Sequence, residues 1–252
     1  MIRFDRVSFR YDQRKETSFA IREVSFSLLP TRIIGFVGGN GSGKSTFARL
    51  IAGINLPQEG TVEVCGIKTC SEDAQIHRKV GIIFQNPENQ IVGTTVEEDI
   101  AFGLENLAVP TEEMDDIILA IASEFKIVDL LKKPVHQLSG GQKQLVCIAA
   151  VMVMQPDWLI FDEPTSHLDP WARREFWKTL RQVLKKRDVG IIVISQISED
   201  FDNFDEVKVF SQGQIAFSGN IEQFKNSNEL PDLIKVPEKW QFARLMEQHK
   251  NV

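Results

Sequence analysis

The feature that most restricts the fold is a glycine-rich run, Gly38-Gly39-Asn40-Gly41-Ser42-Gly43-Lys44-Ser45-Thr46, set between two different periodicities. Ile33 to Val37 precedes it as a short apolar strand. From Lys44 the pattern turns helical, through Leu50 and Ala52, and stops at Gly53. Strand, glycine loop and helix in that order require an α/β chain. Gly38, Gly43, Lys44 and Ser45 fit the spacing G-x-x-x-x-G-K-[ST]. A polyphosphate carries several negative charges and needs many close donors. Glycines let successive N–H groups curl inward without Cβ clashes, and the helix start adds its positive end. Lys44 supplies a mobile cation, and the Ser45 hydroxyl is a hard oxygen ligand of the kind Mg²⁺ takes. The plainer alternative is a ligand-free strand–helix turn, which the strand–loop–helix context disfavours. The motif indicates a nucleotide but not what its energy drives.

The 252 residues allow one large domain or two small ones, and 42% hydrophobic residues suffice for a sizeable core. A net charge of -6 argues against a broad phosphate-backbone footprint, so no nucleic-acid partner is expected. Cys65, Cys70 and Cys147 show no metal-site spacing. Cys147 lies in an apolar run and reads as a buried small hydrophobe. The odd count, without a signal-peptide block, fits a reducing compartment. The longest apolar run, Leu145 to Met154, is too short to span a bilayer, so any membrane role is expected to come through a partner.

Alternation predicts strands over 2–10 and 23–29, with further short strands at Thr61–Val64 and Val80–Phe84. Thr95 and Glu98 form a capping-box signature for a helix toward Leu107, followed by helices at Thr111–Phe125 and Gly141–Met154. Trp158–Phe161 and Ile191–Ser195 read as buried strands on either side of a helix from Pro170 to Lys186. Val207–Phe210 and Gln214–Ser218 flank Gln212-Gly213 as a hairpin. Residues 1–220 therefore read as one α/β unit with a helical insert near 88–155. Residues 221–252 read as an extension carrying a short amphipathic helix within 225–252.

Two further segments carry chemistry. The Trp158–Phe161 strand ends in Asp162 and Glu163. Strand alternation would aim these neighbours apart, Asp162 toward a Mg²⁺ shell and Glu163 toward a water beside the terminal phosphate. Leu138-Ser139-Gly140-Gly141-Gln142 opens an apolar helix with an N-cap serine and two glycines that permit close backbone approach. Read singly, each has a structural explanation, as an ordinary strand end and an ordinary helix cap.

In this order the three segments resemble the nucleotide-binding domains of ABC ATPases, whose signature is LSGGQ. The resemblance covers about residues 1–220. It implies a P-loop NTPase fold with a RecA-like core, an antiparallel β subdomain and an α-helical subdomain. It also implies ATP and Mg²⁺ as ligands, with Ser45, Gln85 and Asp162 toward the metal. A head-to-tail dimer would clamp ATP between one chain's Gly38–Thr46 loop and the partner's Ser139, Gly140, Gly141 and Gln142. By the same resemblance Gln85 is the Q-loop glutamine and contacts the attacking water, Glu163 is the catalytic carboxylate, Asp169 lies at the dimer seam, and Tyr11 stacks on adenine. For Tyr11, packing at a strand end is an equal alternative. Two positions depart from the family. Gly39 replaces a common proline, which only loosens the turn. Gln196 stands where the family carries a switch histidine, and its amide bonds a phosphate oxygen but cannot become cationic. Slower turnover at this chain's own nucleotide site is therefore expected, and a heterodimer of unequal sites is a consequence.

Gln85-Asn86-Pro87-Glu88-Asn89-Gln90 is similar to the QNP-x-x-Q pattern of energy-coupling-factor importers, which take up vitamins and transition-metal ions. That resemblance implies a second ATPase subunit, homo- or heterodimeric with the heterodimer preferred. It also implies a transmembrane coupling protein touched by Asn89 and Gln90, a separate substrate-binding membrane subunit, and a peripheral position on the cytoplasmic face of the cell membrane. A polar loop without a partner is the plainer reading of Asn89 and Gln90. An exporter ATPase, a soluble ABC protein and a slowly hydrolysing ATP-binding subunit are the functional alternatives. The extension at 221–252 is a candidate dimerising segment.

Overall fold

The computed structural model describes residues 1–11, 20–30, 33–69, 75–185, 187–227, 234–238 and 240. The chain opens with β1 (Ile2–Phe9), β2 (Ile21–Leu28) and β3 (Ile33–Val37), followed by α1 (Lys44–Ile51). Next come β4 (Glu59–Val64), β5 (Ile67–Lys68), α2 (Gln75–Lys79) and β6 (Val80–Ile83). Three helices follow, α3 (Val96–Asn106), α4 (Thr111–Phe125) and α5 (Gly140–Met152). The chain returns through β7 (Trp158–Asp162), α6 (Pro170–Leu184) and β8 (Gly190–Ile194), and ends with β9 (Glu206–Ser211), β10 (Gln214–Asn220) and α7 (Ile221–Asn226).

The strands form two sheets. A six-stranded sheet runs β10-β9-β3-β8-β7-β6, parallel except for the β9–β10 hairpin. A four-stranded antiparallel sheet runs β2-β1-β4-β5. β3 and β8 are buried along their whole length, as parallel strands covered on both faces must be. This explains why they read as continuous apolar runs rather than alternating ones.

Two apolar clusters fill the molecule. One joins α3, α4, α5 and α6 to one face of the parallel sheet, and the other packs α1 between the two sheets. Phe47 anchors the second cluster. Its ring is fully buried among Phe4, Phe26, Phe36 and Phe210, with centroids 4.5 to 6.5 Å away. Truncating such a side chain costs about 3–5 kcal/mol, and here it would also release the helix that carries Lys44. The α3 capping box is present, with Glu98 N donating to Thr95 Oγ1 and Thr95 N to Glu98 Oε2. The short β5 and α2 had no sequence signal, since each is too short to show a period.

Beyond α7, Val236 and Trp240 join the helix-side cluster, and Trp240 Nε1 donates to Asp202 Oδ1 at 3.1 Å. Residues 228–233, 239 and 241–252 of the candidate dimerising segment, like Cys70, lie outside the described residues. Among the described residues no helix is long and apolar enough to cross a membrane.

Cys147 is buried against the Pro87 carbonyl, and burial pushes its thiol up to about 12. Cys65 is half-buried. Iodoacetamide at pH 8 is expected to alkylate Cys65 in the folded protein and spare Cys147 until the chain is denatured, as read by peptide mass spectrometry. Equal labelling of the two would contradict this packing.

Candidate functional site

The glycine loop lies between β3 and α1, and its backbone fits the cradle expected of it. Gly38 has φ +147°, and a Cβ there would fall 2.3 Å from the Phe210 carbonyl oxygen, so no side chain fits. Gly41 has φ +74° with open space where a Cβ would project. α1 begins at Gly43 with no side-chain cap and no acid in its first turn, which leaves its amide end to a ligand. By contrast α5 is self-capped: Gln142 N donates to Ser139 Oγ at 3.3 Å, and Ser139 N donates to Gln142 Oε1 at 3.0 Å.

Lys44 folds back into the loop. Its Nζ donates to the carbonyls of Gly38 at 2.8 Å and Gly39 at 2.9 Å, and approaches Ser42 Oγ at 3.4 Å. Burial lowers its pKa below the usual lysine range, and the charges of Glu163 and Asp162 oppose that shift. Ser45 Oγ donates to Asp162 Oδ1 at 3.2 Å. Burial raises the Asp162 pKa, and the Ser45 bond opposes the rise. A half-buried carboxylate beside a hydroxyl oxygen matches the hard-oxygen preference of Mg²⁺. Among the described residues no group of three or more His, Cys, Asp and Glu could hold a metal ion.

Glu163 leaves the strand differently from expectation. β7 ends at Asp162, and Glu163 adopts φ +52°, a left-handed conformation costly for a residue with a Cβ. The turn, rather than strand alternation, separates the two acids. The Glu163 carboxylate is bracketed by two amides. Gln85 Nε2 donates to Oε2 at 3.2 Å, and Gln196 Nε2 donates to Oε1 at 2.5 Å. Gln196 Nε2 also reaches Asn40 Oδ1 at 2.8 Å. One amide therefore ties the glycine loop to the acid, a link that no local pattern signals because its ends are 156 residues apart.

Tyr11 is 59% exposed and lies over the first turn of α1. Its hydroxyl is 3.2 Å from Thr46 Oγ1 and accepts from Arg49 and Asn55, while its ring meets Phe9 edge-on. Gln90 turns inward: its side chain accepts from Phe84 N and donates to Ile82 O, extending the edge of β6. Asn89 is exposed on the adjoining turn. That turn is fastened to α5 by Lys143 and Glu88, whose charged atoms are 2.5 Å apart. Asp169 Oδ1 accepts from Trp171 N and Ala172 N, capping α6. Ser139, Gly140, Gly141 and Gln142 line a cleft of about 570 Å³ with His167, Asp169 and Trp171, and no residue of the glycine loop borders it. Sequence reasoning read Ser195 only as the end of a buried strand and overlooked Thr165 and Asp200, which are buried behind the site.

The parallel sheet, the cradle at its edge and the helical lobe define the class: a P-loop nucleotide-binding domain with two lobes. Residues 21–166 match the ABC transporter family. The energy-coupling factor transporter ATP-binding protein EcfA1 of Bacillus subtilis is 38% identical over 252 residues, 99% of this chain and 89% of that protein. The EcfA1 of Bacillus licheniformis is 40% identical over 240 residues, covering 94% of this chain and 83% of that protein. In structure the chain is similar to cbiO1 from Clostridium perfringens, part of the ABC transporter complex cbiONQ. The TM-score is 0.82 and the identity 29%, over 91% of this chain and 92% of that one. The chain belongs to the ABC transporter ATP-binding family, within the group of energy-coupling factor ATP-binding proteins.

Gln196 offers Glu163 a neutral donor where a protonated histidine would offer a charged one. Charge-assisted bonds exceed neutral ones by roughly 1 kcal/mol, so Gln196→His is expected to raise kcat about five- to tenfold at saturating ATP. Steady-state phosphate release from the assembled complex measures this, and equal rates would contradict it.

Proposed function

We propose that the chain is the ATP-binding, ATP-hydrolysing subunit of an energy-coupling-factor importer, peripheral on the cytoplasmic face of the cell membrane. It would power uptake of a micronutrient, a vitamin or a transition-metal ion. The observation that carries this reading is the convergence of Gln85, Glu163, Gln196 and Asn40 beside the glycine cradle. A carboxylate and three side-chain amides gathered beside the glycine loop support this reading.

In this reading the loop amides of Gly38 to Thr46 and the Lys44 ammonium hold the phosphates of ATP, and Tyr11 stacks on the adenine. Ser45 and Asp162, with Gln85 adjoining, would hold Mg²⁺, which supplies charge neutralisation at the β- and γ-phosphates when bound. Glu163 accepts a proton from the attacking water, and Gln85 and Gln196 orient the carboxylate that does so. The signature cleft is bordered by no residue of this chain's own loop. Ser139, Gly140, Gly141 and Gln142 therefore serve a nucleotide held by a second ATPase subunit, with Asp169 at the seam. The exposed turn at Asn89, with Gln90 behind it, faces a transmembrane coupling protein, beside which a separate membrane subunit captures the substrate. Gln196 supports a second reading of the same site: the slower member of a heterodimer, whose intact signature completes the faster partner's site.

Extraction of membranes in mild detergent is expected to recover this chain with an integral membrane protein and a second ATPase subunit, and with ATPase activity. Recovery alone, from the soluble fraction, would contradict the importer assignment. Tyr11→Ala is expected to weaken ATP binding about tenfold, the scale of one lost aromatic–base stack. Equilibrium nucleotide binding measures this, and an unchanged Kd would leave Tyr11 as a packing residue.

A further inference from the structure

Behind the site lies a carboxylate that no motif announces. Asp200 sits on the turn Ser198–Asn203 and is 0% exposed. Its Oδ2 accepts from Thr165 Oγ1 at 2.5 Å and Ser195 Oγ at 2.7 Å. Its Oδ1 accepts from Trp177 Nε1 at 2.8 Å, with Arg173 Nε 4.0 Å away. A carboxylate is expensive to bury, and these three donors with one nearby cation offset that cost.

The identity of the donors gives Asp200 its meaning. Thr165 is fully buried and lies two residues beyond Glu163, in the turn that holds Glu163 at φ +52°. A strained backbone persists only where its surroundings over-determine it. That turn is otherwise fixed by Glu163 N donating to Ile194 O at 2.9 Å and by Ser166 Oγ donating to Glu163 O at 2.9 Å. Ser195 directly precedes Gln196, and its hydroxyl also accepts from Ile197 N at 3.1 Å, so the backbone on both sides of Gln196 is tied to Asp200. Trp177 and Arg173 belong to α6, the helix capped by Asp169. One buried group thus holds the segments that carry Glu163, Gln196 and Asp169.

We infer that Asp200 is a positioning residue for hydrolysis: through Thr165 and Ser195 it sets the register between the Glu163 carboxylate and the Gln196 amide. It touches no reacting atom. The inference rests on the hydrolytic reading of Glu163 given above.

Thr165→Val keeps the shape of the side chain and removes only the donor to Asp200. In the full membrane assembly it is expected to lower kcat about tenfold, the scale of one hydrogen bond to a charged group, with KM for ATP moving less than about twofold. Thr165→Ser keeps the hydroxyl and is expected to restore kcat to within about threefold of wild type. Combining Asp200→Asn with Thr165→Val is expected to cost little more than the slower single change, because both break the same contact. A Thr165→Val assembly with wild-type kcat would overturn the inference. So would a Thr165→Ser assembly as slow as Thr165→Val, single effects that multiply in the double variant, or a KM that rises along with the loss of kcat. A wild-type assembly that does not hydrolyse ATP would instead overturn the reading of Glu163 on which the inference stands.

Discussion

Parallel pairing of β3 with β8, and of β8 with β7, places Phe36, Ile194 and Asp162 in one row across the sheet. The glycine loop and the segments of Glu163 and Gln196 leave from the far side of that row. The glycine loop follows Val37, Glu163 follows Asp162, and Gln196 follows Ser195. Backbone bonds continue the register past the strand ends, with Ser195 N donating to Phe36 O and Glu163 N donating to Ile194 O. Open α/β sheets gather ligands at the carboxyl ends of their strands for this reason: loops from separate strands meet there. The strands themselves are held by burial on both faces, so the register cannot shift without moving apolar residues out of the core.

Rigidity and strain are divided between neighbouring layers. Phe47 fixes α1 through the aromatic cluster around it, and the glycine loop is held separately by Gly213 N donating to Ser42 O and by Lys44. Glu163 is held in a left-handed turn, and Lys44 is drawn into the loop by two carbonyls that phosphate oxygens would replace. The Glu163 turn fits a site organised before its ligand arrives, which lowers the cost of reorganisation during reaction, whereas Lys44 would exchange its carbonyl partners on binding. The signature helix shows the complementary case. Ser139 and Gln142 cap their own helix and face a cleft away from the cradle. A cradle and a signature cleft on separate surfaces are what the proposed pairing with a second ATPase subunit requires.

Much of this was legible in the residues. The glycine loop, the paired acids and the signature depend on local geometry, so their spacing survives in the sequence. The parallel strands betrayed themselves as unbroken apolar runs, and the helices at 96, 111 and 140 by their starts and periods. What sequence hid was contact at long range. The Gln196–Asn40 bond, the inward turn of Gln90 and the Lys143–Glu88 pair join segments, or reverse side chains, in ways that no period encodes. Asp200 was invisible for another reason. An acid in a run of polar residues reads as solvent-exposed, and only tertiary packing reveals Thr165, Ser195 and Trp177 around it. The two acids do point apart, as expected, but a left-handed turn and not alternation separates them, because alternation applies within a strand and this strand ends at Asp162.

The proposed function depends on the Glu163 carboxylate acting on ATP held in the glycine cradle. The most direct measurement is nucleotide retention by the purified assembly carrying Glu163→Gln, incubated with excess Mg·ATP and freed of unbound nucleotide on a spin column. Retained, unhydrolysed ATP, with phosphate release abolished, is the predicted result. Release of phosphate at the wild-type rate, or an assembly that keeps no nucleotide, would contradict it.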